Sequence, residues 1–80
     1  MSYLQELNTI ACNSQDHDGH IARTILNAVT AAKDGSLAQG QAKLIISNIL
    51  KQYDRAGNVT NKQALFELAH NVKKSNLLFL

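Results

Sequence analysis

Three features of the sequence predict a compact all-α domain of four helices, arranged as two short helical hairpins. Apolar residues recur at helical spacing in four separate segments. Gly19, Gly35 and Gly57 lie between these segments, where a left-handed glycine can end a helix and cap the turn. The chain has no proline and no low-complexity linker. We therefore expect residues 1–80 to form a single helical domain, with an apolar C-terminal tail at 76–80.

The first helix is predicted from about Tyr3 to Cys12. Ser2 and Gln5 have the spacing of a capping box, in which each side chain bonds a backbone N–H that the helix leaves unpaired. The polar run 13–19 lacks apolar periodicity and predicts a loop. One face of the helix collects its apolar residues, Tyr3, Leu4, Leu7, Ile10 and Ala11.

The second helix is predicted from about His20 to Lys33. Asp16 and Asp18 stand before it, where carboxylates meet exposed N–H groups and the positive end of the helix dipole. Its apolar stripe contains several small residues, which let a neighbouring backbone come close. Its members are Ile21, Ala22, Ile25, Leu26, Ala28, Val29 and Ala32.

The segment from Asp34 to Tyr53 is predicted to be the central helix of the fold, ending near Arg55. It contains the densest apolar run of the chain, whose spacing indicates a broad buried face. The shorter helices are expected to lie against it, and its closeness to the second helix predicts a helical hairpin. The apolar run consists of Leu44, Ile45, Ile46, Ile49 and Leu50.

The fourth helix is predicted from about Asn61 to Ser75. Thr60 and Gln63 repeat the capping-box spacing at its start. Phe66 lies at the edge of its apolar face, and Lys73 and Lys74 suit its C-terminal end. The face itself is formed by Ala64, Leu65, Leu68, Ala69 and Val72.

The glycine turns share one pattern, in which an aliphatic residue follows two positions after the glycine, as in Gly19 and Ile21. In the stretch 14–25, together with Asp16 and Asp18, this pattern resembles the second half of an EF-hand calcium loop. That family ends its loop with a bidentate glutamate, whereas Ile25 stands at that position here. We therefore expect no calcium site.

Cys12 is the only cysteine, so no internal disulfide can form, and a reducing compartment is expected. We expect this thiol to be a small buried or half-buried apolar residue. The first 20 residues show no basic region followed by an apolar one, and no run approaches the roughly 18 apolar residues that span a bilayer. These features predict a cytoplasmic protein with no membrane partner.

Charge is divided unevenly between the two halves of the chain. Residues 1–40 carry two cationic side chains against four acidic ones, and residues 41–80 carry six against two. The halves therefore have formal charges of −2 and +4. Such a chain is suited to head-to-tail association, or to an acidic partner.

The most concentrated polar chemistry is the cluster Cys12, Asp16, His17, Asp18 and His20. Two histidines three residues apart, with an aspartate, have the ligand types that zinc or nickel uses, so a metal-binding protein is one alternative. The cluster nevertheless spans a predicted loop and a helix start, where these residues are common for structural reasons. Our expectation is no metal and no cofactor.

No constellation for catalysis is recognisable. The glycine turns lack the Gly-Lys-Ser/Thr ending of a phosphate-binding loop. Ser14, Asp16 and His17 are too close along one loop to converge as a nucleophile, orienter and base. We therefore expect a protein that is not an enzyme.

A small DNA-binding regulator is a second alternative. Its recognition element would be the fourth helix, with Lys62, Asn71, Lys73 and Lys74 as the contacting residues. The basic excess is small for a protein that binds phosphates.

The apolar tail favours a third interpretation, a subunit or adaptor that acts by binding protein. Large apolar residues at a chain end are stabilised by burial, against their own helices or in a partner. The expected contact surface combines this tail with two residues of the central helix. We predict a homo-oligomer or a subunit of a larger complex, of the kind found among bacterial and bacteriophage accessory or structural proteins. The predicted contact residues are Leu77, Leu78, Phe79, Leu80, Ile46 and Tyr53.

Overall fold

The computed structural model describes residues 3–13, 17–56 and 62–79, which form four α-helices and one short 3₁₀ helix. This confirms the compact all-α four-helix domain. Ser2, Gly57 and Thr60, to which the sequence assigned caps and a turn, lie outside the described residues. The elements are α1 (Tyr3–Asn13), α2 (His17–Asp34), α3 (Gln39–Ala56), α4 (Lys62–Lys74) and the C-terminal 3₁₀ helix (Leu77–Phe79).

The helix on which the others lie is α2. It packs most extensively against α1 and α3, and it also contacts α4 and the C-terminal 3₁₀ helix. Burial along α2 continues through every turn, because small and β-branched residues line the side that faces its neighbours. The buried residues of α2 are Asp18, Gly19, Ile21, Ala22, Ile25, Ala28, Val29 and Ala32.

The prediction that the segment 34–53 forms the centre of the fold is wrong. Among the described side chains of α3, only Ala42, Ile46 and Ile49 are buried. Leu44 is 60% exposed and Ile45 is 38% exposed. Consecutive residues are about 100° apart around a helix, so a run of three apolar residues cannot all face the same neighbour.

The second helix begins earlier than its apolar pattern indicates, at His17 rather than near His20. Gly19 is therefore a buried residue inside the first turns of α2, and the predictions of a loop and a glycine turn there are wrong. Asp18 is in the first turn, as expected, and its carboxylate is favoured by the positive end of the helix dipole. Asp16 lies outside the described residues.

The connection from α2 to α3 is a glycine-ended helix terminus. Gly35 has a φ of 88°, the left-handed conformation predicted for it. Beyond it, the backbone N–H groups of Ser36 and Leu37 donate to the Ala31 carbonyl at 2.9 and 3.2 Å. The Asp34 carboxylate accepts a further bond from the Ser36 N–H at 2.9 Å. The turn thus pairs backbone groups that the end of α2 would otherwise leave unpaired.

The end of the chain folds back onto the domain. After α4, the Leu77 N–H donates to the side-chain oxygen of Gln39, the first residue of α3, at 2.9 Å. The Leu77 side chain is fully buried, whereas Leu78 next to it is 51% exposed. The two leucines of the tail whose side chains are described are therefore divided between the core and the surface.

Across the described ranges, none of the helices combines the length and the apolar character needed to cross a bilayer.

Candidate protein-binding groove

A groove of about 740 Å³ opens beside α4, on the side where it meets α3. Leu50 of α3 and Phe66 of α4 are its apolar residues, and both are half-buried. The other described residues that line it are polar: Gln63, Glu67, His70 and Asn71.

The groove exists because α4 packs by one face only. Leu65, Leu68, Ala69 and Val72 are buried in the core, as the sequence predicted. The prediction is wrong for Ala64, which was assigned to the same face and is exposed. Phe66 follows the first of these by about 100° around the helix, so its ring lies at the edge of the packed face. Contact between α3 and α4 is slight compared with that between α1 and α2. Leu50 and Phe66 therefore remain partly open to solvent.

This arrangement matches the usual chemistry of a peptide-binding groove, in which an apolar floor is bordered by polar side chains. Among the described lining residues, Glu67 is the only one with a fixed charge, so the groove offers a carboxylate to a cationic group. The sequence places Phe66 at the edge of a face, but the groove depends on how α3 and α4 pack against each other, which periodicity does not specify.

A second, smaller groove of about 230 Å³ lies between α2 and α3. Ile45 and Leu37 are its larger apolar residues, and Leu44 is exposed on α3 next to Ile45. Thr24, Asn27 and Ala28 of α2 form the other side. Its small volume and short side chains make it the weaker candidate for a binding site.

The predicted contact residues are distributed over several environments. Ile46 and Leu77 are fully buried within their own chain, so neither side chain is presented to a partner. Leu78 is exposed. Phe79 belongs to the C-terminal 3₁₀ helix, its side chain is not among those described, and Leu80 lies outside the described residues.

Tyr53, also a predicted contact residue, is half-buried beside two histidines of α2. Its ring centroid lies 5.1 Å from that of His17 and 5.9 Å from that of His20, with tilted and edge-on geometries. The ring contacts connect the start of α2 to the end of α3, which is a packing role.

The described members of the polar cluster, which do not include Asp16, do not assemble into a ligand set. Within the described parts of the chain, no group of three His, Cys, Asp or Glu residues is placed to hold a metal ion. Asp18 is buried, whereas His17 and His20 are exposed. Cys12 is exposed as well, so the expectation of a buried or half-buried thiol is wrong. Its Sγ lies 3.9 Å from the Asn8 Oδ1, one helical turn away.

The three residues of the DNA-binding alternative whose side chains are described do not share one face of α4. Asn71 lines the groove, and Lys73 follows it by about 200° around the helix, on nearly the opposite side. Lys74 is exposed about 60° from Asn71, and the side chain of Lys62 is not among those described. A recognition helix would need its base-contacting residues to converge on a single groove of DNA.

Comparison with known proteins gives no relative: no family model, no curated protein and no solved structure matches this chain.

Proposed function

We propose that this chain is a non-enzymatic assembly or adaptor subunit that binds protein through the groove beside α4. The observation that carries the proposal is the groove of about 740 Å³ with Leu50 and Phe66 half-buried in it. A partner that covers these two side chains removes their remaining apolar surface from water, at about 25 cal/mol per Å².

The proposal moves the contact surface away from the sites that the tail and the central helix suggested. Leu77 and Ile46 belong to the core, and the accessible residues are those of the groove together with Leu78. The single free cysteine supports a reducing compartment, and we place the protein in the cytoplasm. An accessory or structural role in a bacterial or bacteriophage assembly suits a chain of this size.

The proposal is tested by NMR titration of the labelled protein with a synthetic amphipathic helix of leucine and lysine, whose leucines are spaced at i, i+3, i+4 and i+7. Saturable shifts are expected at Leu50, Phe66 and His70. Phe66→Ala should weaken the binding about tenfold, since it removes the aromatic side chain from the groove. Leu44→Ala, which removes an exposed apolar side chain outside the groove, is the matched control and should leave the affinity unchanged.

A peptide of the same composition with scrambled order should give no saturable response. Equal affinities of the Phe66→Ala and Leu44→Ala variants would contradict the proposal, as would the absence of any saturable shift. A parallel titration with mixed-sequence duplex DNA covers the alternative function. Binding that weakens steeply with salt would favour the regulator and overturn the assembly role.

A further inference from the structure

The outer side of α4 carries a stripe of four exposed polar residues at spacings of four, three and four. This spacing places them one above another on the same side of the helix. We call the set Gln63, Glu67, His70 and Lys74 the α4 stripe. Three of the four, all except Lys74, also line the groove. Any partner that enters the groove therefore meets the stripe.

The charges along the α4 stripe are so ordered that two copies of the stripe, laid antiparallel, place opposite charges next to each other. If a second copy of α4 lies antiparallel across the first, with the two-fold axis between His70 and Asn71, Glu67 of each copy faces Lys74 of the other. A two-fold axis makes this pair occur twice. Parallel, in-register alignment would instead place Glu67 against Glu67 and Lys74 against Lys74, which is repulsive.

Neither charge is paired with another of the described residues. In the part of the chain that the structure describes, Glu67 and Lys74 have no ion-pair partner. They are seven residues apart, about 10 Å along the helix, which is too far for the direct i, i+4 pairing that helices allow. Both side chains are exposed and free to pair with another molecule.

The same antiparallel arrangement places the exposed residue of the tail, Leu78, beside the second copy. In antiparallel pairing, the C-terminal end of one α4 lies beside the N-terminal end of the other, where Gln63 and Phe66 line the groove. Leu78 is located just after α4 and is 51% exposed. Leu77, buried and hydrogen-bonded to Gln39, fixes the segment from which Leu78 projects. The tail thus packs in its own chain through Leu77 and offers Leu78 to a second copy.

We propose that the occupant of the groove is a second copy of this chain, bound antiparallel through the α4 stripe in a two-fold dimer. The inference rests on the proposed function, whose partner it names. The charge order of the stripe is the argument for a second copy over a foreign protein, since a foreign partner places no requirement on where Glu67 and Lys74 lie relative to each other.

The test is a charge exchange measured by sedimentation equilibrium over a range of protein concentrations. Glu67→Lys alone places lysine against lysine twice, and Lys74→Glu alone places glutamate against glutamate twice. Each variant should raise the dimer dissociation constant roughly ten-fold or more, because two exposed pairs change from attractive to repulsive. An equimolar mixture of the two variants should dimerise about as well as the original protein, since both pairs are restored in the heterodimer.

Lys51→Glu is the matched control, because it makes the same charge change as Lys74→Glu at an exposed position on α3. It should leave the dissociation constant within about twofold. Leu78→Ala should weaken the dimer several-fold without the rescue on mixing. All substituted side chains are exposed, so helical circular dichroism should be unchanged.

The outcomes separate this inference from the proposed function. A chain that stays monomeric at every concentration, while the leucine–lysine peptide still binds the groove, rejects the second copy and leaves the proposed function standing. A dimer that is insensitive to both charge substitutions, or two variants that fail to associate on mixing, places the interface elsewhere and also rejects the inference. Failure of the peptide to bind contradicts the proposed function itself.

Discussion

The contact between α1 and α2, which we call the closed side, buries its side chains. The contact between α3 and α4, which we call the open side, leaves a groove exposed to solvent. Leu7 of α1 and Ile21 of α2 are fully buried, and the Arg23 guanidinium donates to the Ala11 carbonyl at 3.0 Å across the two helices. On the other side, Leu50 and Phe66 are only half-buried, beside a groove of about 740 Å³.

The difference follows from the side chains at each contact. The distance between packed helices depends on the size of the residues between them. Ala22, Ala28 and Ala32 lie on the buried side of α2, where small side chains permit close approach of its neighbours. At the edge of the packed face of α4 lies the larger side chain of Phe66, which is only half-buried. We infer that the closed side supplies the stability of the domain and the open side its binding surface.

The largest expected effect comes from truncating a core residue of α2. Ile25→Ala should lower the free energy of unfolding by about 2–5 kcal/mol, since Ile25 is fully buried and its removal leaves a cavity. Leu44→Ala on α3 should cost less than about 0.5 kcal/mol, because that side chain is mostly exposed. Urea denaturation followed by circular dichroism measures both.

If Ile25→Ala does not fold, Ile25→Val, with an expected cost of about 0.5–1.5 kcal/mol, makes the same comparison. Equal losses from Ile25→Val and Leu44→Ala would mean that the buried side of α2 contributes no more to stability than an exposed position on α3.

The tail provides the next comparison, because two adjacent leucines have opposite environments. Leu77→Ala should lower the free energy of unfolding by about 2–5 kcal/mol, because Leu77 is fully buried and its truncation leaves a cavity. Leu78→Ala should change the stability of the monomer by less than about 0.5 kcal/mol. Thermal unfolding at low protein concentration separates the two. A larger loss for Leu78→Ala would show that the tail does not pack through Leu77.

Replacing either of the two glycines near the connection between α2 and α3 by alanine should change the stability less, and the two changes should have opposite signs. Gly35→Ala should destabilise the protein by about 1 kcal/mol, because its φ of 88° is unfavourable for a residue with a Cβ. Gly40→Ala should stabilise it by up to about 1 kcal/mol, since Gly40 is helical and an added Cβ meets nothing within 4 Å. The two variants add the same methyl group, so a common sign in urea denaturation would contradict the explanation.

The sequence was sufficient to predict four helices, the buried face of α4 and the turn at Gly35, because each depends on local periodicity or backbone chemistry. Gly19 was misread for a physical reason. Glycine is compatible with both a turn and a helix interior, and only tertiary packing, here the burial of Gly19 within α2, decides between them.

The site was harder to predict than the fold. The large number of apolar residues from Leu44 to Leu50 predicts that this run is the centre of the fold. A count of apolar residues does not say which neighbour each one faces, and Leu44 is mostly exposed. The groove depends on how α3 and α4 pack against each other, a property of two helices together. The sequence carries one signal of it, Phe66 at the edge of an apolar face, and the α4 stripe is present in the sequence only as single charged and polar residues.

The smallest expected effect concerns Asp34, at the connection between the closed and open regions. Hydrogen bonds from the Ser36 side chain and, second, from the Ser36 backbone N–H hold the pKa of Asp34 below its usual value of 3.8. A lowered pKa means that folding favours the carboxylate, so the stabilisation is present above pH 3.8 and is lost as the pH falls through the lower folded value.

Ser36→Ala removes the larger of the two causes, and the pKa of Asp34 should rise toward 3.8 while remaining below it. NMR titration of the side-chain carboxyl carbon measures the change, with Ser75→Ala as a control, because the Ser75 hydroxyl donates to the Asn71 carbonyl and not to Asp34. An unchanged pKa in Ser36→Ala would assign the shift to the backbone N–H alone.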